Sequence, residues 1–219
     1  MSSVEDASVW TVVVAAGSGT RFGARKQFLD LGGIRVIDHT VATAATHSDG
    51  VVLVLPADAL DEPVVATGTA LVVVAGGESR SESVRNGLAA VPVDCGVVLV
   101  HDGARPLASA AVYERVIAAV RDGAVGVVPA VPIADSVRHR ETGAVDRSAL
   151  LAVQTPQGFD ARTLRAAHQS GADAFDDATL VEASGHAVVI VEGDTRNVKL
   201  TTPFDLEVAR LVLTEEAPS

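Results

Sequence analysis

Apolar residues gather in short runs along this chain. Thr11–Ala16, Val51–Leu55, Leu71–Ala75 and Val97–His101 have too few polar interruptions to leave one face in water, so they predict strands covered on both sides of a sheet. Between them, Ile34–Thr46 and Ala110–Ala119 carry apolar residues at helical spacing, and Ser81–Ala90 places Val84 and Leu88 four apart, as an amphipathic helix requires. The alternation continues with strands at Val125–Pro129 and His186–Val191 and a helix over Pro203–Leu213, whose proline suits the first helical turn. This order predicts one doubly wound α/β domain over residues 11–214 with a mostly parallel, Rossmann-like sheet. Residues 1–10 and 215–219 read as tails.

One stretch breaks the alternation. Between Ile133 and Val153, Asp135–Arg140 and Val145–Arg147 flank Glu141-Thr142-Gly143-Ala144, a sequence suited to a tight turn. Residues 133–153 therefore predict a protruding β-hairpin, an exposed lid or a dimer arm.

Composition narrows the partners. The chain has 219 residues, 48% of them hydrophobic and only 3% aromatic, so Val, Ala and Leu must fill the core. With 17 Lys plus Arg against 28 Asp plus Glu, the net charge of −11 disfavours nonspecific binding to nucleic acid or to an anionic membrane. The basic residues include just two lysines, Lys26 and Lys199, each in a segment containing glycine or asparagine. Cys95 is the single cysteine, which excludes an intrachain disulfide and a cysteine-rich metal cluster and suits a reducing cytoplasm. No apolar run approaches the length of a membrane span, and the segment from Met1 to Trp10 has no basic leader region.

Candidate chemistry begins where the first strand ends. Val12-Val13-Val14-Ala15-Ala16-Gly17-Ser18-Gly19-Thr20-Arg21-Phe22-Gly23-Ala24-Arg25-Lys26-Gln27 runs from an apolar strand into a glycine-rich turn followed by cations. Small residues let backbone N–H groups approach a phosphate, and Arg21 and Lys26 can meet charge as it shifts during a reaction. The loop lacks the Gly-x-x-x-x-Gly-Lys-Ser/Thr pattern, and Phe22 stands where a dinucleotide fingerprint would want its third glycine. An ordinary βα turn would also use these glycines. A second loop, Ala75-Gly76-Gly77-Glu78-Ser79-Arg80, again follows a strand and opens a helix that Ser81 is suited to cap, with Arg80 and Ser83 in its first turn. In an open α/β sheet both loops fall at the carboxyl ends of the strands, where ligands collect.

His101-Asp102-Gly103-Ala104-Arg105-Pro106 adds an acid and a base at the next strand end. Asp102 is suited to holding Mg²⁺ or orienting a hydroxyl, and Arg105 to pairing with Asp102 or with a phosphate; a purely structural Asp–Arg pair accounts for them equally well. His101 reads as a strand-end or core histidine, since no nearby His or Cys completes a zinc set. No Gly-x-Ser-x-Gly elbow supports a serine hydrolase.

Together these segments carry a resemblance. The loop from Val13 to Gln27 resembles the signature of sugar-nucleotide and alditol-phosphate nucleotidyltransferases. Adding Gly76–Val84, His101–Pro106, Asp146-Arg147, Gln154-Thr155-Pro156-Gln157 and Glu192–Lys199, the chain over roughly residues 10–213 is similar to the 2-C-methyl-D-erythritol 4-phosphate cytidylyltransferase family. The resemblance implies a nucleotidyltransferase fold, a homodimer, CTP as co-substrate with Mg²⁺, and a small alditol phosphate as acceptor. By the same resemblance Arg21 and Lys26 stabilise the attacked α-phosphate, and Ala15, Ala16, Gly17, Gly19, Gly76, Gly77, Arg80 and Ser83 bind the nucleotide. Asp102 contacts the metal directly or through water, and Asp102 and Arg105 lie beside the acceptor's hydroxyls. Lys199 binds its phosphate, Thr201 follows in the usual Lys-x-Thr continuation, and Ser136 and Arg147 sit on an arm reaching into the partner protomer's site. The implied chemistry, attack by the acceptor's phosphate on the α-phosphorus, needs alignment and charge neutralisation more than a strong base.

The chain departs from the family's pattern at Arg25, usually proline, at Gly103, usually alanine, and at Phe175, usually a threonine offered to the substrate phosphate; Ser136 for threonine keeps the hydroxyl. Phe175 lacks a donor, which leaves ribitol-5-phosphate cytidylyltransferase as the nearest enzymatic alternative, or it simply packs a neighbouring helix. A catalytically silent nucleotide-binding or dimer-forming protein is the alternative of another class.

Overall fold

The computed structural model describes residues 7–17, 25–64, 66 and 68–216. Along the chain lie β1 (Val9–Val14), β2 (Asp30–Leu31), β3 (Ile34–Arg35), α1 (Val36–Thr46), β4 (Gly50–Leu55), β5 (Ala70–Ala75), α2 (Arg80–Ala90), β6 (Val97–Asp102) and α3 (Ala110–Arg121). They are followed by β7 (Gly126–Pro132), β8 (Val137–His139), β9 (Gly143–Val145), β10 (Leu151–Val153), β11 (Gln157–Asp160), α4 (Ala161–His168), α5 (Asp177–Ala183), β12 (Val189–Glu192) and α6 (Pro203–Glu216).

The apolar runs form one eight-stranded sheet in which β5, β4, β1, β6, β11 and β7 are successive neighbours and β10 and β12 also pair with β7. β1, β4, β5, β6, β7 and β12 share one direction, while β10 and β11 run against it. The expected mostly parallel sheet is thus present with two antiparallel strands inserted. Within each central strand, alternate residues serve opposite layers. Val13, Val51, Leu53 and Leu99 pack with Ile37 and Val41 of α1 and Val112 and Val116 of α3. Val12, Val52, Val54, Val98 and Val100 pack with Val84 of α2, Leu164 of α4 and Val181 of α5. Because both faces are covered, period-2 alternation of polarity is absent and the strands read as continuous apolar runs. The chain goes from β1 out through β4 to β5, then returns to place β6 on the other side of β1. The crevice at the carboxyl ends of β1 and β6 is the switch point of the sheet.

Several boundaries differ from the sequence pattern. The strand expected from Thr11 begins at Val9, whose N–H donates to Asp49 at 2.8 Å, so Val9 and Trp10 belong to the sheet rather than to a tail. The helix expected from Ile34 begins at Val36, because Ile34 and Arg35 pair back onto Asp30 and Leu31. Gly32 and Gly33 turn that hairpin at φ +70° and +88°, a conformation glycine adopts without a Cβ penalty. The cap of α2 is Ser79, which accepts from the Glu82 N–H, and not Ser81, whose hydroxyl instead accepts from the Ala174 N–H at 3.1 Å. The expected hairpin is present as β8 and β9, paired from Val137 with Val145 to His139 with Gly143. Its return strand β10 rejoins the main sheet against β7, which shortens the protruding part at its C-terminal end. Among the described residues, no helix is long and apolar enough to cross a membrane.

Candidate functional site

Three loops are pinned together at the switch point. The Ala15 N–H donates to Val54 O at 2.9 Å, Gly76 N–H to Leu55 O at 2.8 Å and Gly103 N–H to Val14 O at 2.9 Å. Each loop therefore leaves its strand by extending a neighbour's ladder. A Cβ on Gly76 would stand 2.2 Å from the Ala16 Cβ, so glycine there lets the second loop close on the first. Gly103 works similarly: a Cβ would lie 2.7 Å from the Ala15 Cβ and 3.1 Å from Ile37 Cδ1. Glycine at this position leaves room for Ala15.

Side chains then fix the walls. Gln27, 3% exposed, donates from Nε2 to Ala15 O at 3.0 Å and Gly17 O at 3.4 Å, holding the base of the first loop. Lys26 Nζ donates to Leu200 O at 2.7 Å, and Leu200 N–H to Ala104 O at 2.8 Å, which brings the segment after β12 against the loop after β6. In the second loop the buried Ser83 hydroxyl accepts from Gly77 N–H at 3.1 Å and donates to Ser79 O at 2.9 Å. The Glu82 carboxylate accepts from the Glu78 N–H at 2.7 Å, while the Glu82 N–H donates to the Ser79 hydroxyl at 3.1 Å, so both residues brace the helix start.

These elements enclose a cavity of about 500 Å³ lined by Ala15, Ala16, Gly17, Lys26, Gly77, Arg80, Ser83, Asp102 and Lys199 among others. Asp102, at the end of β6, is 8% exposed. Lys199 Nζ stands 2.7 Å from its carboxylate, Arg105 Nε 3.6 Å and Arg80 Nε 3.9 Å. Burial alone would raise the carboxyl's pKa, but Lys199, Arg80 and Arg105 more than offset it and hold it down at about 2. Burial likewise lowers Arg105, whereas Arg80 is raised above its ordinary value against burial by Asp177 and then Asp102. In a chain of net charge −11, four cations, Lys26, Arg80, Arg105 and Lys199, are concentrated here around two buried carboxylates, a local field suited to a phosphorylated ligand.

His101 is a core histidine, 0% exposed. Burial pulls its pKa down to about 4, so it is neutral at physiological pH. The Thr155 hydroxyl accepts from the Asp102 N–H at 3.0 Å and lies 2.9 Å from His101 Nδ1, while His101 Nε2 lies 3.2 Å from Arg105 O. With Thr155 donating to Nδ1, Nε2–H donates to Arg105 O. The neutral imidazole thereby ties the backbone of Asp102 to that of Arg105.

The structure gathers most of the residues singled out from sequence, with clear exceptions. Arg21 and Gly19 lie outside the described residues. Gly76 stands behind the lining, and Arg105 reaches Asp102 while donating to Asn197 O at 2.7 Å. Thr201 gives its hydroxyl to Asp205 at 2.6 Å, at the start of α6. Ser136 and Arg147 are exposed on the arm, where Arg147 donates to Ile133 O at 3.2 Å, and neither lines the cavity. Phe175 is 99% exposed, so it packs no neighbouring helix. Arg25 forms an exposed ion pair with Asp58. Gln27 and Thr155 fell inside the segments that carry the resemblance but were given no role of their own, and Asp177, visible only as part of the Asp176-Asp177 doublet, was not singled out.

Among the described residues, no group of three His, Cys, Asp or Glu side chains could hold a metal ion alone. Asp102 is a single ionised carboxylate facing the cavity, and Mg²⁺ commonly takes one or two carboxylates together with substrate phosphates. The donor set fits a cation shared with a phosphorylated ligand.

The family described as IspD, 2-C-methyl-D-erythritol 4-phosphate cytidylyltransferase, matches residues 9–215. A protein of that name from Streptomyces coelicolor is 46% identical over 92% of this chain and 83% of its own length. Another from Nocardia farcinica is 43% identical over 97% and 96%. The crystal structure of the Thermus thermophilus 2-C-methyl-D-erythritol 4-phosphate cytidylyltransferase superposes with a TM-score of 0.78 at 34% identity, covering 95% of this chain and 98% of that one. The 4-diphosphocytidyl-2C-methyl-D-erythritol synthase of Anaerococcus prevotii gives 0.81 at 27% identity, covering 95% and 99%.

Proposed function

This chain belongs to the 2-C-methyl-D-erythritol 4-phosphate cytidylyltransferase family, and from that premise we propose how its residues divide the work. The reaction transfers a cytidylyl group from CTP to 2-C-methyl-D-erythritol 4-phosphate, giving 4-diphosphocytidyl-2-C-methyl-D-erythritol and pyrophosphate. A phosphate oxygen of the acceptor forms a bond to the α-phosphorus as the bond to the pyrophosphate oxygen breaks, so no proton needs to be taken from a phosphate dianion. The burden is to align the acceptor's phosphate with the triphosphate of CTP and stabilise charge in transit.

The observation that carries the assignment is the convergence of Lys26, Arg80, Asp102 and Lys199 on one cavity between the two small-residue loops. Ala15, Ala16, Gly17 and Gly77 offer backbone to the nucleotide at close range, with Gly76 and Ser83 shaping the second loop and Gly19 continuing the first. Lys26, together with Arg21, meets the α-phosphate as negative charge concentrates there. Arg80 meets the nucleotide's phosphates. Lys199 exchanges its contact with Asp102 for the acceptor's phosphate, and Asp102 and Arg105 face the acceptor's hydroxyls. Thr201, occupied by Asp205, shapes the Lys199 segment.

Asp102 would hold a magnesium ion, directly or through water, which when bound together with CTP supplies positive charge against the crowded phosphate oxygens. Asp102→Asn is expected to lower turnover and to move the magnesium dependence to higher concentration. If the variant loses only thermal stability, with catalytic constants and the full Mg²⁺ titration matching the parent, Asp102 is structural.

The chain works as a homodimer in which Ser136 and Arg147 of each arm complete the partner's site. Two features support this: the arm carries both residues away from their own cavity, and Leu151, Val153 and Ile190 on β10 and β12 leave apolar surface 43–58% exposed in the single chain.

A further inference from the structure

Arg80 is the first residue of α2, just behind the Ser79 cap, a poor place for a cation because the helix dipole is positive there. It is kept there from behind. Arg80 Nη2 lies 2.8 Å from Asp177, whose side chain is fully buried and does not line the cavity. A carboxylate so placed requires polar partners. His168 of α4, itself 3% exposed, supplies the second, its Nε2 3.0 Å from the other oxygen.

The start of α5, which carries Asp177, is unusually constrained. Asp176 caps it, accepting from the Thr179 N–H at 2.9 Å and hydroxyl at 2.6 Å. Gln157 bridges the same turn, donating to Asp176 at 3.1 Å and accepting from the Ala178 N–H at 3.4 Å. Across the gap, the Ser79 hydroxyl pairs with Asp173 at 2.6 Å and the Ser81 hydroxyl accepts from Ala174 N–H. The Asp177 carboxylate is therefore held rigidly against α2. On the cavity side Arg80 faces Asp102 at 3.9 Å, where Lys199 and Arg105 stand closer.

We propose that Asp177 is a positioning residue that anchors the Arg80 guanidinium where the CTP phosphates arrive and keeps it from collapsing onto Asp102. This rests on the assignment of Arg80 to the nucleotide. The test is calorimetric titration of CTP with Mg²⁺ into the parent, Arg80→Met, Asp177→Asn and the double variant, with a thermal melt of each. Arg80→Met and Asp177→Asn should each raise the Kd for CTP about tenfold or more, and the double variant should be no weaker than Arg80→Met. A residue with a merely structural role would lower Tm in both backgrounds and leave the Kd of Asp177→Asn within about twofold of the parent, which would overturn the proposal. Parental affinity in Arg80→Met would instead remove the assignment of Arg80 itself. Asp177→Ser takes the place of an asparagine variant that does not fold, and failure of both to fold makes Asp177 structural.

Discussion

Lys26→Ala is expected to lower kcat by about 10²-fold or more while leaving the fold intact, because a preorganised charge aimed at the transition state is typically worth several kcal/mol. The expectation follows from where the side chain sits. Lys26 lines the cavity, and its ammonium is fixed by Leu200 O at 2.7 Å, on the segment that also carries Lys199. That hydrogen bond holds the ammonium in the cavity wall, so little reorganisation is needed when phosphate arrives. The partition between constants distinguishes two roles. Loss of uniform CTP binding would raise KM and spare kcat, whereas loss of a contact made only in the transition state lowers kcat and kcat/KM together. A purified, folded variant with near-parental kcat would reject the catalytic role.

The second large effect concerns the arm. Lys26→Ala and Arg147→Ala homodimers should both be impaired, yet a mixed dimer of the two should recover about half the parental kcat per dimer, because C2 symmetry generates two equivalent shared sites. In that mixed dimer one site combines the Lys26→Ala body with the Arg147→Ala arm and is doubly defective. The other combines an intact body with an intact arm. Co-expression with two affinity tags isolates the species. Verified heterodimers as inactive as both parents would contradict independent sites shared in trans, and a stable, fully active monomer would discard sharing altogether.

The central sheet was legible because each of its main parallel strands is an apolar run bounded by glycine or polar residues, and the loops that carry chemistry follow those runs directly. The segment between β11 and β12 was not. α4 and α5 span only 8 and 7 residues, too few turns for a helical period to stand out. Their signal lies in their caps: Asp160 accepts from Thr163 N–H and Asp176 from Thr179 N–H, an Asp-x-x-Thr spacing repeated at both starts. The short β2–β3 hairpin was absorbed into the following helix because Ile34 fits its apolar stripe, although Gly32-Gly33 is a hairpin signal. Within the site, Lys26, Arg80, Asp102 and Lys199 were legible as charged residues beside glycine-rich or strand-end positions. Asp177 stands far from Arg80 in sequence and becomes its partner only when the start of α5 meets the start of α2. Ser136 and Arg147 lie on the arm and do not line the cavity of one chain, so their proposed place in a partner's site was legible only through the resemblance.

The measurement closest to the central claim is pyrophosphate release from CTP with 2-C-methyl-D-erythritol 4-phosphate or ribitol 5-phosphate as acceptor, each with and without Mg²⁺. Phe175, an exposed ring with no hydrogen-bond donor to offer a phosphate, makes the acceptor the part most worth testing. Rapid, Mg²⁺-dependent release with the methylerythritol phosphate and little with the ribitol phosphate is the predicted result; a strong preference for ribitol 5-phosphate, or no release with either acceptor, would contradict it.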